Sequence, residues 1–193
     1  MRILEKRILS NAQVIKNEVL NVDDFMTQTV DTNLMIEIGK EFEHHFGNKK
    51  IDRILTVEST GIALAMATSA FLHVPFVFAR KKPDPLMQGD SFLIPAYSYT
   101  KDTTYHLSLL KKMLPPEENI LILDSFLSNG ETLLGLVNMV RQANCNLVGI
   151  GTAIEKGFRP GRQKLEAIGC KVVSLVKIEK FEDGKPVFAK RPV

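Results

Sequence analysis

Asp124 ends the aliphatic run Ile120–Leu123, and Ser125 stands beside it. Ser128, Asn129, Gly130, Glu131 and Thr132 follow and lead into an amphipathic stretch that reads as a helix to about Gln142. At such a helix start the exposed amide hydrogens converge on one spot, and the helix dipole makes that spot positive. A phosphate monoester fits there. Ser128 and Thr132 add hydroxyl donors, and Gly130 lets the backbone come close. Asp124, just behind, is placed to accept hydrogen bonds from sugar hydroxyls. An acid and a phosphate cradle a few residues apart suit a ribose 5-phosphate. An N-capped strand-to-helix turn without further function has the same pattern, so the pattern alone leaves both open.

Other residues offer complementary chemistry. Ser59, Thr60 and Gly61 in "VESTG" stand at a strand end before a helix and form a second candidate anion nest. Arg80, Lys81 and Lys82 open the loop "RKKPDPLMQGDS", and Lys101 follows "YSYT". Arg80 has the best claim to clamp a phosphate, because a guanidinium forks onto two oxygens. A solvated basic loop would look the same. "EKGFRPGR" carries Lys156 as a donor and Phe158 as a ring to lie on a flat ligand or in the core. The four histidines show no partner pattern for nucleophilic catalysis.

The elements that must position these groups alternate. "IDRILTVEST", "VPFVFA", "ILILD", "LVGIGTAIE" and "KVVSLVKIEK" read as strands, each close to continuously aliphatic. "GIALAMATSAFLH", Gly130 to about Gln142, and "RQKLEAIG" read as helices between them. That order predicts an α/β fold with a mostly parallel central sheet covered on both faces. Ligands of such sheets bind at the carboxyl ends of the strands. "FLIPAYSYT" and "TTYHLSLL" alternate as a hairpin, and the tail "EDGKPVFAKRPV" offers an edge strand. The first fifty residues read as helical, with Leu34, Ile38, Phe42 and Phe46 at helical spacing, Asp31 as N-cap and Gly47 as stop. One domain over 1–193 is expected: a small N-terminal segment over 1–50, a core over 51–180 and a tail over 181–193.

Composition sets the outer bounds. Hydrophobic residues make up 45% and charged residues 24%, ordinary for a globular chain. The net charge of +3 comes from scattered basic pairs, which favour small anions rather than a nucleic acid. Two cysteines without CxxC spacing argue for a reducing, cytoplasmic setting and against structural zinc. The charged N-terminus is no signal peptide, and no apolar run has transmembrane length. Neither GxGxxG nor GxxxxGK[ST] is present.

"ILILDSFLSNGET" resembles the phosphoribosyl-diphosphate (PRPP) motif of the type I phosphoribosyltransferases: an aliphatic strand, acids, small residues and a glycine opening a helix. "VLNVDDFMTQTVD", "TVESTGIALA", "VPFVFARKK", "AYSYTK" and "GIGTAIEKGFRPGR" resemble, in the same order, the bacterial xanthine phosphoribosyltransferase branch. The likeness spans essentially the whole chain. It implies the type I phosphoribosyltransferase fold, with a small N-terminal hood and a flexible lid loop opening at Arg80. The implied activity is purine salvage, by transfer of the phosphoribosyl group from PRPP to xanthine. Asp124, Arg80 and Lys81 would be catalytic. Ser128, Asn129, Gly130, Glu131, Thr132, Ser125, Ser59, Thr60 and Lys101 would bind PRPP. Leu20, Thr27, Lys156 and Phe158 would bind the purine, Lys156 through its exocyclic oxygen.

The family has two adjacent acids at the strand end, which bind the ribose hydroxyls. Here the second is Ser125, which can hydrogen-bond a hydroxyl without carrying charge. The resemblance further implies a homodimer, no tightly bound cofactor, and Mg2+ carried by PRPP or pyrophosphate. The sequence offers no all-protein metal cage. Two neighbouring readings remain: the same transfer to guanine or hypoxanthine, and a non-catalytic PRPP-sensing regulator. Against the regulator, no helix-turn-helix with a clear basic face precedes residue 50.

Overall fold

A computed structural model describes residues 1–82, 89–98 and 102–190. The six-stranded central sheet grows from short aliphatic runs. Its strands are β3 (Arg53–Val57), β4 (Phe76–Ala79), β7 (Asn119–Leu127), β8 (Asn146–Lys156), β9 (Val172–Glu182) and β10 (Lys185–Phe188). They lie in the order β10-β9-β8-β7-β3-β4. All neighbours are parallel except β10, which folds back antiparallel on β9. The turn between those two uses Asp183 and Gly184, both at positive φ, as a tight hairpin turn demands. The expected edge strand is therefore present.

The aliphatic runs are continuous because both faces are buried. Leu121 and Leu123 of β7 join one core, and Ile120 and Ile122 the other. The first core lies under α2 (Thr32–Phe46) and α3 (Thr60–Leu72). Asp31 caps α2 by accepting from the Leu34 amide at 3.0 Å, and Leu34, Ile38, Phe42 and Phe46 all point inward. The second core lies under α4 (Glu131–Gln142), α5 (Gly161–Ala167) and the antiparallel pair β5 (Ser91–Ser98) and β6 (Thr103–Leu110). That pair seats on α4 where Gly135 leaves room for Leu107: a Cβ there would approach its Cδ1 to 2.7 Å.

Two expectations change. The first fifty residues are not helical throughout. After α1 (Arg2–Asn11), β1 (Gln13–Ile15) pairs antiparallel with β2 (Val19–Asn21), and Asp23–Thr27 form one π-helical turn before α2. Lys16 and Asn17 take positive φ at the hairpin turn. Three-residue strands are too short to show an alternating period, so the pattern hid them. The other change is in β7, which does not stop at Asp124. It runs on to Leu127 because β8 continues beside it, pairing Phe126 with Ile154 and Leu127 with Glu155. Asp124 thus lies inside the ladder, which makes it more buried than a strand-end residue.

Candidate active site

The carboxyl ends of β3 and β7 open into a cleft of about 690 Å³. Thr60, Lys81, Tyr105, Asp124 and Ser125 line it, together with the segment Ser128–Thr132.

The floor is the turn from β7 into α4. Gly130 adopts φ +87°, a left-handed conformation that suits glycine. The first intrahelical bond runs from the Leu134 amide to the Gly130 carbonyl, so the amides of the first turn are free to face a ligand. Gly161, the first residue of α5, backs this turn. Its amide donates to the Ser128 carbonyl at 2.9 Å. A Cβ on Gly161 would lie 2.2 Å from that oxygen. Glu131 would repel an anion, but Lys164 pairs with it at 2.6 Å. The Thr132 hydroxyl lies 2.8 Å from that of Tyr105, reaching across from β6.

Asp124 is 7% exposed. Its Oδ1 accepts from the Ser125 amide at 2.7 Å and faces the Ser125 hydroxyl at 3.4 Å. Burial pushes its carboxyl up to about 6, against the pull of the Ser125 amide and the Lys81 charge. Ser125 is buried, and its Oγ lies 2.7 Å from the Thr60 hydroxyl. Ser125 therefore ties β7 beside Asp124 to the start of α3. Ser59 precedes that helix, exposed and without a side-chain cap bond, after a cis Glu58–Ser59 peptide.

Lys81 and Lys82 form one wall. The chain there is held by a backbone bridge between Arg80 and Ser108 of β6, and the Lys81 amide donates to Glu58 at 2.8 Å. The Arg80 guanidinium lies over the Phe78 ring, 6.0 Å from its centroid. Lys101 and positions 83–88 of the expected lid fall outside the described residues.

None of the four candidate purine contacts lines this cleft: Lys156 ends β8 and Phe158 follows it, while Leu20 lies in β2 and Thr27 ends the π-helical turn. Lys156 donates to the Glu18 carbonyl at 2.7 Å, and burial lowers its ammonium's pKa. Phe158 packs edge-on against Phe181 at 5.4 Å. Leu20 is buried in the first core. The Thr27 hydroxyl donates to Asp23. The Lys156–Glu18 bond joins the "EKGF" turn to the β1–β2 hairpin.

Behind this turn, Glu155 is 1% exposed. Burial alone would raise its carboxyl, but hydrogen bonds from Arg162 and Ser174 hold it below the usual range. Arg162 grips Glu155 through Nε and Nη2, at 2.9 and 2.6 Å, and also reaches Glu166 and the Val172 carbonyl. Arg162→Ala is expected to cost about 2 kcal/mol of stability, since a buried carboxylate loses its Arg162 hydrogen bonds while Ser174 and Lys177, the latter 3.4 Å away, remain. Urea unfolding measures it, and an unchanged midpoint would count against the role.

Sequence reasoning missed Tyr105, Gly161, Lys164 and Arg162. Tyr105, Gly161 and Lys164 meet their partners 27 to 33 residues away in the chain, and Arg162 meets Glu155 seven residues back. Among the described residues, no group of three or more His, Cys, Asp or Glu could hold a metal, and no helix is long and apolar enough to cross a membrane.

A parallel sheet that brings two helix N-termini, one buried carboxylate and a lysine wall to a single cleft has the build of a type I phosphoribosyltransferase. The chain belongs to that family: the phosphoribosyl transferase domain matches residues 26–187. It is 43% identical over 189 residues to xanthine phosphoribosyltransferase of Lactococcus lactis subsp. lactis, covering 98% of this chain and 96% of that one. The xanthine phosphoribosyltransferase of Leuconostoc mesenteroides is 44% identical over 188 residues, covering 97% and 100%. The adenine phosphoribosyltransferase structure from Thermoanaerobacter pseudethanolicus superposes with a TM-score of 0.76 at 21% identity, covering 90% of this chain and 99% of that one. At that identity the match speaks for the fold.

Proposed function

We propose that this protein transfers the 5-phosphoribosyl group from PRPP to N9 of xanthine, giving xanthosine 5'-monophosphate and pyrophosphate in purine salvage. The observation that carries the reading is the 43% identity, over nearly the full chain, to a xanthine phosphoribosyltransferase. The cleft supports it, because the starts of α3 and α4 both open into it, at Thr60 and at Ser128–Thr132.

In the reaction the C1–O bond to pyrophosphate breaks, N9 bonds to C1, and the N9 proton leaves. Positive charge builds on the ribose as pyrophosphate departs. The Asp124 carboxylate lies beneath the ribose position and stabilises that charge while accepting from a ribose hydroxyl. The 5-phosphate rests on the amides and hydroxyls of Ser128–Thr132. Thr60 and Ser59 at the start of α3, with Lys81, Arg80 and Lys101, take up charge on the pyrophosphate. Mg2+, carried by pyrophosphate oxygens and water, suits a site with a single carboxylate. Lys156, Phe158, Leu20 and Thr27 would hold the base. A lysine donor favours an oxygen there over the amino group of adenine, which would leave it unpaired. A cytoplasmic homodimer is the expected setting.

The test is nucleotide formation from PRPP and Mg2+ with xanthine, guanine, hypoxanthine and adenine in turn, for the wild type and Ser125→Asp. Xanthine should lead and adenine should be inert. In Ser125→Asp the added carboxylate meets Asp124, so the two titrate as a pair and activity should rise at higher pH than in the wild type. Leadership by guanine or hypoxanthine would move the substrate assignment. PRPP binding without turnover, restored by Ser125→Asp, would make the protein a sensor.

A further inference from the structure

Resting on the phosphoribosyl reading of the cleft, we propose that Tyr105 is a positioning residue for the 5-phosphate, acting through Thr132. Tyr105 stands on β6, outside the turn that forms the cradle, yet its hydroxyl lies 2.8 Å from that of Thr132. Both side chains line the cleft.

The direction of the two bonds follows from the ligand. A phosphate group offers mainly acceptors, so the Thr132 hydroxyl hydrogen turns toward it. The lone pairs left on the Thr132 oxygen then need a donor, and the Tyr105 phenol supplies one. Burial raises the phenol's pKa, so it keeps its proton across the working range. A chain from Tyr105 to Thr132 to phosphate polarises in one sense, each bond strengthening the next. It also fixes the Thr132 rotamer before the ligand arrives, which lowers the ordering cost of binding. The hairpin carrying Tyr105 is seated on α4 at Gly135, one turn beyond the cradle, so the phenol is held by packing on the same helix.

The experiment is calorimetric binding of ribose 5-phosphate to the full chain, alongside steady-state kinetics with PRPP. Tyr105→Phe removes only the hydroxyl and should raise the Kd for ribose 5-phosphate and the KM for PRPP about tenfold, with kcat within about twofold. Thr132→Val should do the same, and the double variant should bind no more weakly than either single one. Thr132→Ser should restore binding. Wild-type affinity in Tyr105→Phe would overturn the proposal, and so would losses that simply add in the double variant. Failure of the wild type to bind ribose 5-phosphate would instead remove the phosphoribosyl reading on which the proposal stands.

Discussion

Asp124→Asn is expected to lower kcat about 10²–10³-fold and, at neutral pH, to raise the melting temperature. The first effect follows from removing the carboxylate that faces charge developing on the ribose, where one preorganised electrostatic contact carries that much. The second follows from burial. The carboxyl of Asp124 moves from an ordinary 3.8 up to about 6, so the folded state holds this proton more tightly than the unfolded chain does. For a group raised in this way, the stabilising contribution is fully present below the unfolded value and is lost as pH rises through about 6. At pH 7 the ionised group therefore costs up to about 3 kcal/mol, which an uncharged isostere avoids. That corresponds to several degrees of melting temperature in a chain of this size. Activity should show the opposite sense, rising with pH through about 6 as Asp124 ionises. Kinetics and thermal melts of both proteins over pH 4–8 check the pair. A variant that keeps its turnover would sink the catalytic role, and one that melts like the wild type at pH 7 would sink the stability argument.

Gly161→Ala is expected to damage a cradle that it backs without lining the cleft. Its Cβ would stand 2.2 Å from the Ser128 carbonyl oxygen, 2.6 Å from Leu127 Cδ1 and 2.9 Å from the Gly130 amide nitrogen. Two of those are backbone atoms of the cradle, which cannot swing aside as a side chain does. The start of α5 and the phosphate turn must part, breaking the Gly161–Ser128 hydrogen bond. Overpacking of this kind costs about 1–3 kcal/mol. Displacing the cradle by an ångström can cost about 100-fold in activity. The comparison is Gly169→Ala, where the Cβ would enter open space and only the left-handed backbone, φ +82°, is penalised, by about 1 kcal/mol. Gly169→Ala should lose a little stability and no turnover. Equal activity in the two variants would show that the close approach at Gly161 does not shape the site.

What could be read from sequence had a local signature. The buried strands were continuous aliphatic runs, and α2 announced itself through Asp31 and four apolar residues at helical spacing. The turn from β7 into α4 was legible because Ser128–Thr132 carry its glycine, hydroxyls and helix start on consecutive positions. The resemblance added the fold family, and it alone pointed to Leu20 and Thr27 as candidate purine contacts. The hood was only partly legible. Residues in strands as short as Gln13–Ile15 owe their conformation to pairing with β2 and packing against β10 rather than to propensity.

By itself, then, the amino-acid order determined the alternating strands and helices, the parallel sheet and the amide-lined turn after β7. Period, capping and turn chemistry are properties of neighbours along the chain. Only the tertiary structure decided how that turn is held: Gly161 pressed against its backbone, Lys164 neutralising Glu131, Tyr105 bonded to Thr132, and Ser125 tied to Thr60. It also decided that Asp124 is buried inside the β7–β8 ladder, which pushes its carboxyl up to about 6. Those contacts join residues far apart in the chain, and side-chain chemistry at either end does not announce a partner that only packing delivers.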